Sequence, residues 1–272
     1  MRSPLQNRVT PTGDIIATAH RGLFTGNRGI IHDPATKTLL TRRWASPAWL
    51  TCVCEFKGRR REVMGGRSWT ELFFLDEATA FAAGHRPCFF CRRDDANRFR
   101  AAWEEGNGIT NVLARDIDAV LHRERLSGAK KRLHARTLPL EQLPDGAMLQ
   151  QGGESYLITQ GRALSWSPAG YREAQNALQD AMLLTPPSTL RALSAGYRPV
   201  VHPSAVELIG VAKTTLSFPM CNCTSEDAPL GAGPESILPM VVMDSGLALR
   251  APRNDGSSQP LPCQLRAGAE CH

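Results

Sequence analysis

The sequence predicts an α+β fold: a small antiparallel N-terminal sheet, a hook of chain with two following helices, and a smaller β-rich part further on. Short apolar runs separated by turn residues fill positions 29–75, which is typical of hairpins. Apolar residues recur at helical spacing between 94 and 126. Strand-like runs joined by glycine turns return between 147 and 166. A length of 272 residues suits one large domain or two small ones.

Changes in composition along the chain divide it into three expected segments. Residues 1–106 carry the sheet and the hook, and residues 107–218 carry a helical connection and the small β-rich part. Residues 219–272 lose periodicity and become rich in Gly, Pro and Ser, which predicts a poorly ordered tail. We expect no metal binding by the tail's cysteines, which lack a motif: Cys221, Cys223, Cys263 and Cys271.

The overall composition is that of a globular protein, with 42% hydrophobic and 21% charged residues. No apolar run approaches the roughly 20 residues that a membrane helix needs. The N-terminus lacks the apolar core of a signal peptide. The sequence therefore predicts a cytoplasmic protein, whose 8 cysteines are reduced or metal-bound rather than paired.

The N-terminal sheet is predicted from two hairpins. The first pairs residues 29–32 with 38–44 across a turn that contains a proline. The second pairs residues 49–56 with 61–64 across a basic turn.

A glycine-containing loop precedes these hairpins. Residues 21–29 include three glycines, which allow the backbone to approach a ligand closely. Arg21 and Arg28 could bind an anion in this loop. The lysine and the following Ser or Thr of a P-loop are missing, which argues against nucleotide binding.

The hook spans residues 73–93, and its first half is predicted to be a strand, a short helix and a stop. Residues 72–75 form an apolar run of strand type. Asp76 is a good N-cap, and the alanines between 78 and 83 propagate a helix well. Gly84 can take the left-handed conformation that ends a helix.

The second half of the hook carries candidate metal ligands. Pro87 fixes the approach to Cys88 and Cys91, which are separated by two phenylalanines. This spacing forms a tight knuckle whose two sulfurs can face one ion, as in half of a tetrahedral zinc site. We therefore expect zinc at Cys88 and Cys91.

The hook resembles part of a known zinc domain. A strand, a short Ala-rich helix and an Ala-Gly-aromatic-Arg-Pro-Cys-x-x-Cys run are similar to the second half of the four-cysteine zinc domain of Ada-type methylphosphotriester-repair proteins. The same half-motif is attached to other bacterial proteins, including some nucleases. His85 stands where an aromatic residue is usual, and the matching residues are Ala82, Ala83, Gly84, Arg86, Pro87, Cys88 and Cys91. The resemblance covers about a tenth of the chain.

The resemblance implies an earlier cysteine pair that completes the zinc site, and a thiolate in it that accepts a methyl group from DNA phosphate. In this chain that pair can only be Cys52 and Cys54, whose spacing is shorter than the family's, with a longer gap of 33 residues to Cys88. Alternate residues of a strand point to one face, so both thiols could reach one metal. The alternative is that one or both are small buried hydrophobic residues.

Positive charge is concentrated in the N-terminal part. Residues 1–100 contain 17 Lys and Arg against 9 Asp and Glu, whereas residues 201–272 contain 4 against 7. A basic patch beside a zinc knuckle predicts contact with the phosphates of DNA or RNA, which gains affinity from counterion release. The alternative is that these basic residues only form the solvated tip of a hairpin and contact no nucleic acid. The densest group of cations consists of Arg42, Arg43, Lys57, Arg59, Arg60 and Arg61.

Two helices and a β-meander are predicted after the hook. Apolar periodicity places the helices at 94–105 and 111–126. Alternating runs bounded by glycine turns place the strands at 147–151, 155–159 and 162–166.

Residues 182–199 repeat the design of the hook without its thiols. Ser188 is predicted to cap the helix, and Gly196, Arg198 and Pro199 follow as the equivalent residues do in the first hook. We interpret this second hook as a scaffold that is reused for packing.

Three classes of function remain open from the sequence. The leading hypothesis is a cytoplasmic protein with a structural zinc site, closed by four ligands, and a basic face that contacts DNA or RNA. The second is an enzyme, either a thiolate methyl acceptor or a metal-dependent hydrolase that uses His20, His32 or Asp33. The third is a protein-interaction module. No nucleophile–base pair or carboxylate pair is indicated by spacing, so no catalytic residue is assigned.

Overall fold

A six-stranded sheet, a five-stranded sheet, two short two-stranded ribbons and the helices form the described part of the protein, which confirms the predicted α+β class. The structure is a computed structural model that describes residues 3–58, 62–175 and 178–210. The strands are β1 Gln6–Val9, β2 Ile15–Ala17, β3 Phe24–Asn27, β4 His32–Asp33, β5 Thr38–Leu39, β6 Leu50–Val53, β7 Leu72–Phe74, β8 Arg86–Pro87, β9 Leu126–Ser127, β10 Lys130–Lys131, β11 Met148–Gln151, β12 Glu154–Thr159, β13 Arg162–Ser167, β14 Gly170–Glu173 and β15 Met182–Leu183. The α-helices are α1 Glu77–Ala82, α2 Arg93–Asn107, α3 Ala114–Arg125, α4 Pro187–Ser194 and α5 Pro203–Leu208.

The larger sheet has six strands in the order β2-β1-β7-β3-β6-β8. Its β1–β2, β3–β7 and β3–β6 pairs are antiparallel. The β1–β7 and β6–β8 pairs are parallel, so the prediction of a wholly antiparallel sheet was wrong for these two. Both parallel pairs involve a strand of the hook, because β7 inserts between β1 and β3 and β8 adds to the edge beside β6, which are all earlier strands of the chain.

The smaller sheet is an antiparallel meander in the order β14-β13-β12-β11-β15. Strands β11, β12 and β13 confirm the three strands that alternation and glycine turns predicted at 147–166. The second hook contributes β15, which pairs with β11 at the edge.

Helix α1 of the hook lies at the centre of the described fold. All six of its residues are buried. Ala80 packs into the apolar core of the larger sheet, Ala78 and Ala82 into that of the smaller sheet, and Phe81 into the core shared by α2, α3 and α4. Small side chains suit this helix because packed elements surround it on every face. The hook helix therefore contributes to three apolar cores of the described chain.

The N-terminal hairpins differ from the prediction. The first is confirmed but short, since β4 and β5 pair over two residues each. The second was wrong: β6 pairs with β3 and β8 instead, and residues 62–64 form no strand. Met64 is fully buried in a turn, with φ of 53° and its N–H bonded to Glu71 Oε2 at 2.9 Å, so this segment is held by a side chain.

The second hook has the expected helix and stop but a different cap. Helix α4 starts with proline at its first position, and Gly196 has φ of 101°. The prediction that Ser188 caps the helix was wrong, because Ser188 lies inside it. Its N–H and hydroxyl donate to Glu124 Oε2 of α3 at 3.0 and 2.6 Å, so a neighbouring helix supplies the acceptor.

Helices α2 and α4 share one apolar core. Phe99 and Trp103 of α2 pack with Leu193 and with Tyr197, which follows α4. The expected boundary after residue 106 therefore falls inside a helix that packs against the following segment. The expected tail at 219–272, with its four cysteines, lies outside the described residues. None of the helices in the described ranges combines the length and apolar character needed to cross a bilayer.

Candidate metal centre

Three cysteine sulfurs meet where the hook joins the larger sheet. The Sγ atoms of Cys52, Cys88 and Cys91 all lie within 4.8 Å of one another. Within this group Cys52 and Cys88 are buried and Cys91 is partly exposed. These are the residues in the described part of the chain that are grouped closely enough to hold a metal ion.

Backbone pairing between β6 and β8 brings Cys88 beside Cys52. The N–H of Arg86 donates to the carbonyl of Trp49, and the N–H of Cys88 donates to the carbonyl of Thr51, both at 3.0 Å. Strand β8 is only two residues long because the following residues must turn into the knuckle. This short parallel ladder sets the register of the thiols.

The knuckle folds tightly before α2 begins. The N–H of Phe90 donates to Cys88 Sγ at 3.4 Å, and the N–H of Arg92 donates to the carbonyl of Cys88 at 3.0 Å. Helix α2 then starts at Arg93, directly after the knuckle. The positive end of a helix favours nearby thiolates, so the position of the knuckle supports metal binding.

A buried ion pair locks the knuckle to the hook helix. Arg92 Nη2 lies 2.7 Å from Glu77 Oε1, and its Nη1 donates to Thr51 Oγ1 at 2.6 Å. Burial alone lowers the pKa of Arg92, but the carboxylates of Glu77 and Asp95 hold it above its ordinary value. The charged guanidinium therefore ties α1, β6 and the start of α2 together around the thiols.

The closeness of the three thiols shifts their pKa values. Interaction with Cys52, and then with Cys91, holds the pKa of Cys88 well below its ordinary value. Interaction with Cys88 and Cys91, with burial, raises the pKa of Cys52. Cys88 is therefore the thiol that loses its proton first, and the thiolate is the form that binds metal.

The sulfur geometry fits a tetrahedral metal. Two thiolates about 2.3 Å from one tetrahedral zinc stand roughly 3.8 Å apart, which is inside the observed 4.8 Å limit. Three soft donors suit zinc and other thiophilic ions. The cluster could hold one metal ion.

The fourth predicted ligand is not among these three residues. Strand β6 ends at Val53, so the strand alternation that would aim Cys54 with Cys52 does not continue to it. The sulfur of Cys54 is instead disulfide-bonded, and it lies 3.3 Å from the carbonyl oxygen of Leu23. The expectation that the cysteines are unpaired was therefore wrong for Cys54.

His85 takes the place of the aromatic residue that is usual at this position in the resembling domain. It is fully buried, and its ring packs 4.6 Å from Phe74 and 5.1 Å from Trp49, between centroids. Burial, and then the charges of Arg28 and Arg125, hold its pKa well below its ordinary value. The imidazole is therefore neutral and serves in packing.

The residues considered for a hydrolase lie apart from the thiols. His32 is buried with Nδ1 2.6 Å from Thr70 Oγ1, and the carboxylate of Asp33 accepts from the N–H of Ala35 at 2.9 Å. His20 is exposed. None of the three belongs to the group of described side chains that could hold a metal.

The predicted basic surface is described in part. Arg42, Arg43 and Lys57 are exposed, and the Lys57 ammonium lies 5.4 Å from the centroid of the Phe56 ring. Arg59, Arg60 and Arg61 lie outside the described residues.

Residues that support the centre escaped the sequence reasoning. Arg92 and Thr51 carry no motif, and their contact depends on a register between β6 and the hook that sequence spacing does not encode. An arginine directly after a CxxC knuckle and an acidic residue at the start of the hook helix were the available signals.

Comparisons of the chain with protein-family models, with curated proteins and with solved structures find no match.

Proposed function

We propose that this is a zinc-binding protein in which Cys52, Cys88 and Cys91 hold one structural zinc ion, and in which a basic surface beside the zinc site contacts nucleic acid. The convergence of three thiols from two distant segments carries the metal part of the proposal. Zinc is favoured because thiolate-rich tetrahedral sites are typical of it.

A structural role fits the position of the thiols. The ion would join β6 to the hook and to the start of α2, three elements that meet at few backbone hydrogen bonds. Three thiolates leave one position of a tetrahedral shell for a further ligand. The buried Arg92–Glu77 pair already holds the knuckle in shape, so metal binding costs little reorganisation.

Exposed cations support the nucleic-acid part. Arg42, Arg43 and Lys57 are exposed, and the first hundred residues carry 17 Lys and Arg against 9 Asp and Glu. Exposed cations attract a polyanion without a desolvation cost, and the gain comes from released counterions. Contact of this kind is expected to show little sequence preference.

Metal content tests the first part. Purified wild-type protein should contain about one zinc per chain, and Cys88→Ser should lose it, because losing one thiolate weakens a structural site severely. Ser127→Ala, a change at an exposed residue of β9, is the control and should retain the metal, since Ser127 is not one of the three clustered residues. Zinc at wild-type level in Cys88→Ser would refute the site.

Salt dependence tests the second part. Binding to labelled duplex and single-stranded oligonucleotides should weaken steeply as salt rises. The double variant Arg42→Glu/Arg43→Glu should bind more weakly, whereas Arg172→Glu, an exposed charge change on β14, should bind as wild type does. No binding at low salt, or equal binding by all three proteins, would remove the nucleic-acid contact and leave the metal site untouched.

A further inference from the structure

Two buried guanidinium groups stack on one tryptophan next to the hook. The Cζ atoms of Arg28 and Arg125 each lie 3.9 Å from the Trp49 ring centroid, and both arginines are buried. Arg28 Nε also donates to His85 Nε2 at 3.3 Å. These four residues form what we name the Trp49 cluster.

The Trp49 cluster presents buried N–H donors that have no acceptor. Arg28 Nη2, Trp49 Nε1, His85 Nδ1 and Arg125 Nε are each buried without a hydrogen-bond partner. Because His85 accepts at Nε2, its neutral ring carries the proton on Nδ1, so all four atoms are donors. Native proteins rarely leave buried donors unpaired, and four in one set of contacting side chains indicate a missing acceptor.

The same place has an excess of positive charge. Burial, and then repulsion from Arg125, lowers the pKa of Arg28 to about 9. Burial, partly offset by Asp118, lowers the pKa of Arg125 to about 9. Lys131 turns its ammonium inward to the Ala82 carbonyl, where burial and then the two arginines lower its pKa to about 7.

The carboxylates near these cations are engaged elsewhere. Asp118 binds Arg86 with both oxygens. Glu124 accepts two hydrogen bonds from Ser188, and Asp14 accepts from a threonine hydroxyl at the surface. Buried charge without a counterion is costly, which points to a counterion supplied from outside this set.

We propose that the Trp49 cluster binds an oxyanion, namely a phosphate or sulfate group. A tetrahedral oxyanion offers several acceptor oxygens to the unpaired N–H donors and brings the negative charge that the cluster lacks. Charged arginine N–H groups make strong hydrogen bonds to such anions. Arg28 Nη2 and Arg125 Nε are the arginine nitrogens left for the anion, because their other N–H groups already donate to His85 and to the carbonyls of Gly13, Gly84 and Pro47. Water could accept from some of the donors, but it would not offset the charge.

The side of the cluster at Arg125 leads to the surface. Arg125 Nη2 contacts His122 Nδ1 at 2.7 Å, and the His122 ring packs edge-on against Trp44, with centroids 4.6 Å apart. Trp44 is 40% exposed, and the residues from 42 to 48 around it belong to no strand or helix. We place the entry of the anion at this rim, where Arg42 and Arg43 are also exposed.

Titration calorimetry with inorganic phosphate tests the site. Wild-type protein should bind about one phosphate per chain, and its Tm should rise in phosphate relative to chloride at matched ionic strength. Arg125→Met should abolish both effects. Lys131→Met should weaken phosphate binding at least tenfold, while Lys130→Met, a change at the exposed neighbouring residue, should not.

If Arg125→Met fails to fold, the comparison of Lys131→Met with Lys130→Met tests the anion site instead. The two lysines are neighbours on the short strand β10, so any effect of changing that strand is common to both variants. No phosphate-specific heat from wild type, or equal weakening in the two lysine variants, would overturn the proposal.

A 5′-phosphorylated oligonucleotide compared with the same 5′-hydroxyl strand identifies the source of the anion. Tighter binding of the phosphorylated strand than of the hydroxyl strand indicates that the site takes a terminal phosphate of a nucleic acid. Equal binding of the two strands, by a protein that binds inorganic phosphate, indicates that the site takes a free anion. The anion site does not depend on the proposed zinc centre or on the proposed nucleic-acid surface, so each of the three proposals can be refuted without affecting the others.

Discussion

Asp118 holds Arg86 in a bidentate ion pair, with Oδ1 2.7 Å from Nε and Oδ2 2.7 Å from Nη2, and both side chains are buried. Asp118 belongs to α3, whereas Arg86 opens the Arg-Pro-Cys run that delivers Cys88. The pair therefore transmits the position of α3 to the metal centre, although α3 contributes no ligand.

Removing one partner of this pair should cost stability and metal affinity together. Asp118→Ala leaves a buried guanidinium without its counterion, and we expect a loss of about 3–5 kcal/mol in the free energy of unfolding. Urea denaturation measures it, with Asp94→Ala, an exposed carboxylate of α2, as a control that should cost less than about 1 kcal/mol. Similar losses in the two variants would show that the pair contributes little to stability.

Metal removal should loosen the join between β6 and the hook. If zinc binds the folded state alone, a chelator should lower the stability of wild-type protein by at least about 2 kcal/mol, or roughly 4–8 °C in Tm. Differential scanning calorimetry with and without chelator measures the shift, and Cys88→Ser should show none. A wild-type Tm that stays constant while metal is lost would contradict a structural role.

The hook was predictable because its signals are local. Asp76 does cap α1, with Oδ1 accepting from the N–H of Thr79 at 2.8 Å, and Gly84 does have a positive φ of 89°. Both effects act within a few residues, so sequence order alone reveals them. The Cys88–Cys91 knuckle is equally local, and its two sulfurs lie within 4.8 Å of each other.

The features that the sequence did not predict depend on contacts between distant segments of the chain. Cys52 is a candidate ligand without Cys54, although the sequence predicted both, because β6 ends before Cys54. The sequence drew attention to Arg28 as an anion ligand in a glycine loop, but its stacking on Trp49 beside Arg125 requires the pairing of the larger sheet and the docking of α3. Register and docking arise from the whole chain, and spacing does not encode them.

Gly84 is required for space as well as for conformation. A Cβ at Gly84 would lie 2.6 Å from both Cβ and Cδ of Arg125, whereas a Cβ at Gly196, with a similar φ of 101°, would meet nothing within 4 Å. Gly196→Ala should cost about 1–2 kcal/mol from backbone strain alone, and Gly84→Ala should cost a further 1–3 kcal/mol or so from overpacking. Chemical denaturation of both variants gives the difference, and equal losses would show that Arg125 moves aside freely.

The inward ammonium of Lys131 predicts a rise in stability with pH. Its pKa is about 7 in the folded protein, lowered by burial and then by Arg28 and Arg125, against a partial opposing effect of Glu124. In the unfolded chain an ordinary lysine titrates near about 10.4. Below pH 7 both states are protonated, so the cost of burying the charge is fully present and constant.

Between these two pKa values the unfolded state binds more protons than the folded state, so stability increases as pH rises. The slope is at most about 1.4 kcal/mol per pH unit. Urea denaturation of wild type and Lys131→Met in phosphate-free buffer, from pH 7 to 9, should show the wild type gaining relative to the variant. Contributions from Arg28 and Arg125 are present in both proteins and largely cancel in this difference. Lys130→Met should run parallel to wild type, because its ammonium is exposed. A constant difference between wild type and Lys131→Met over this range would mean that the Lys131 ammonium is solvated and does not add to the charge of the Trp49 cluster.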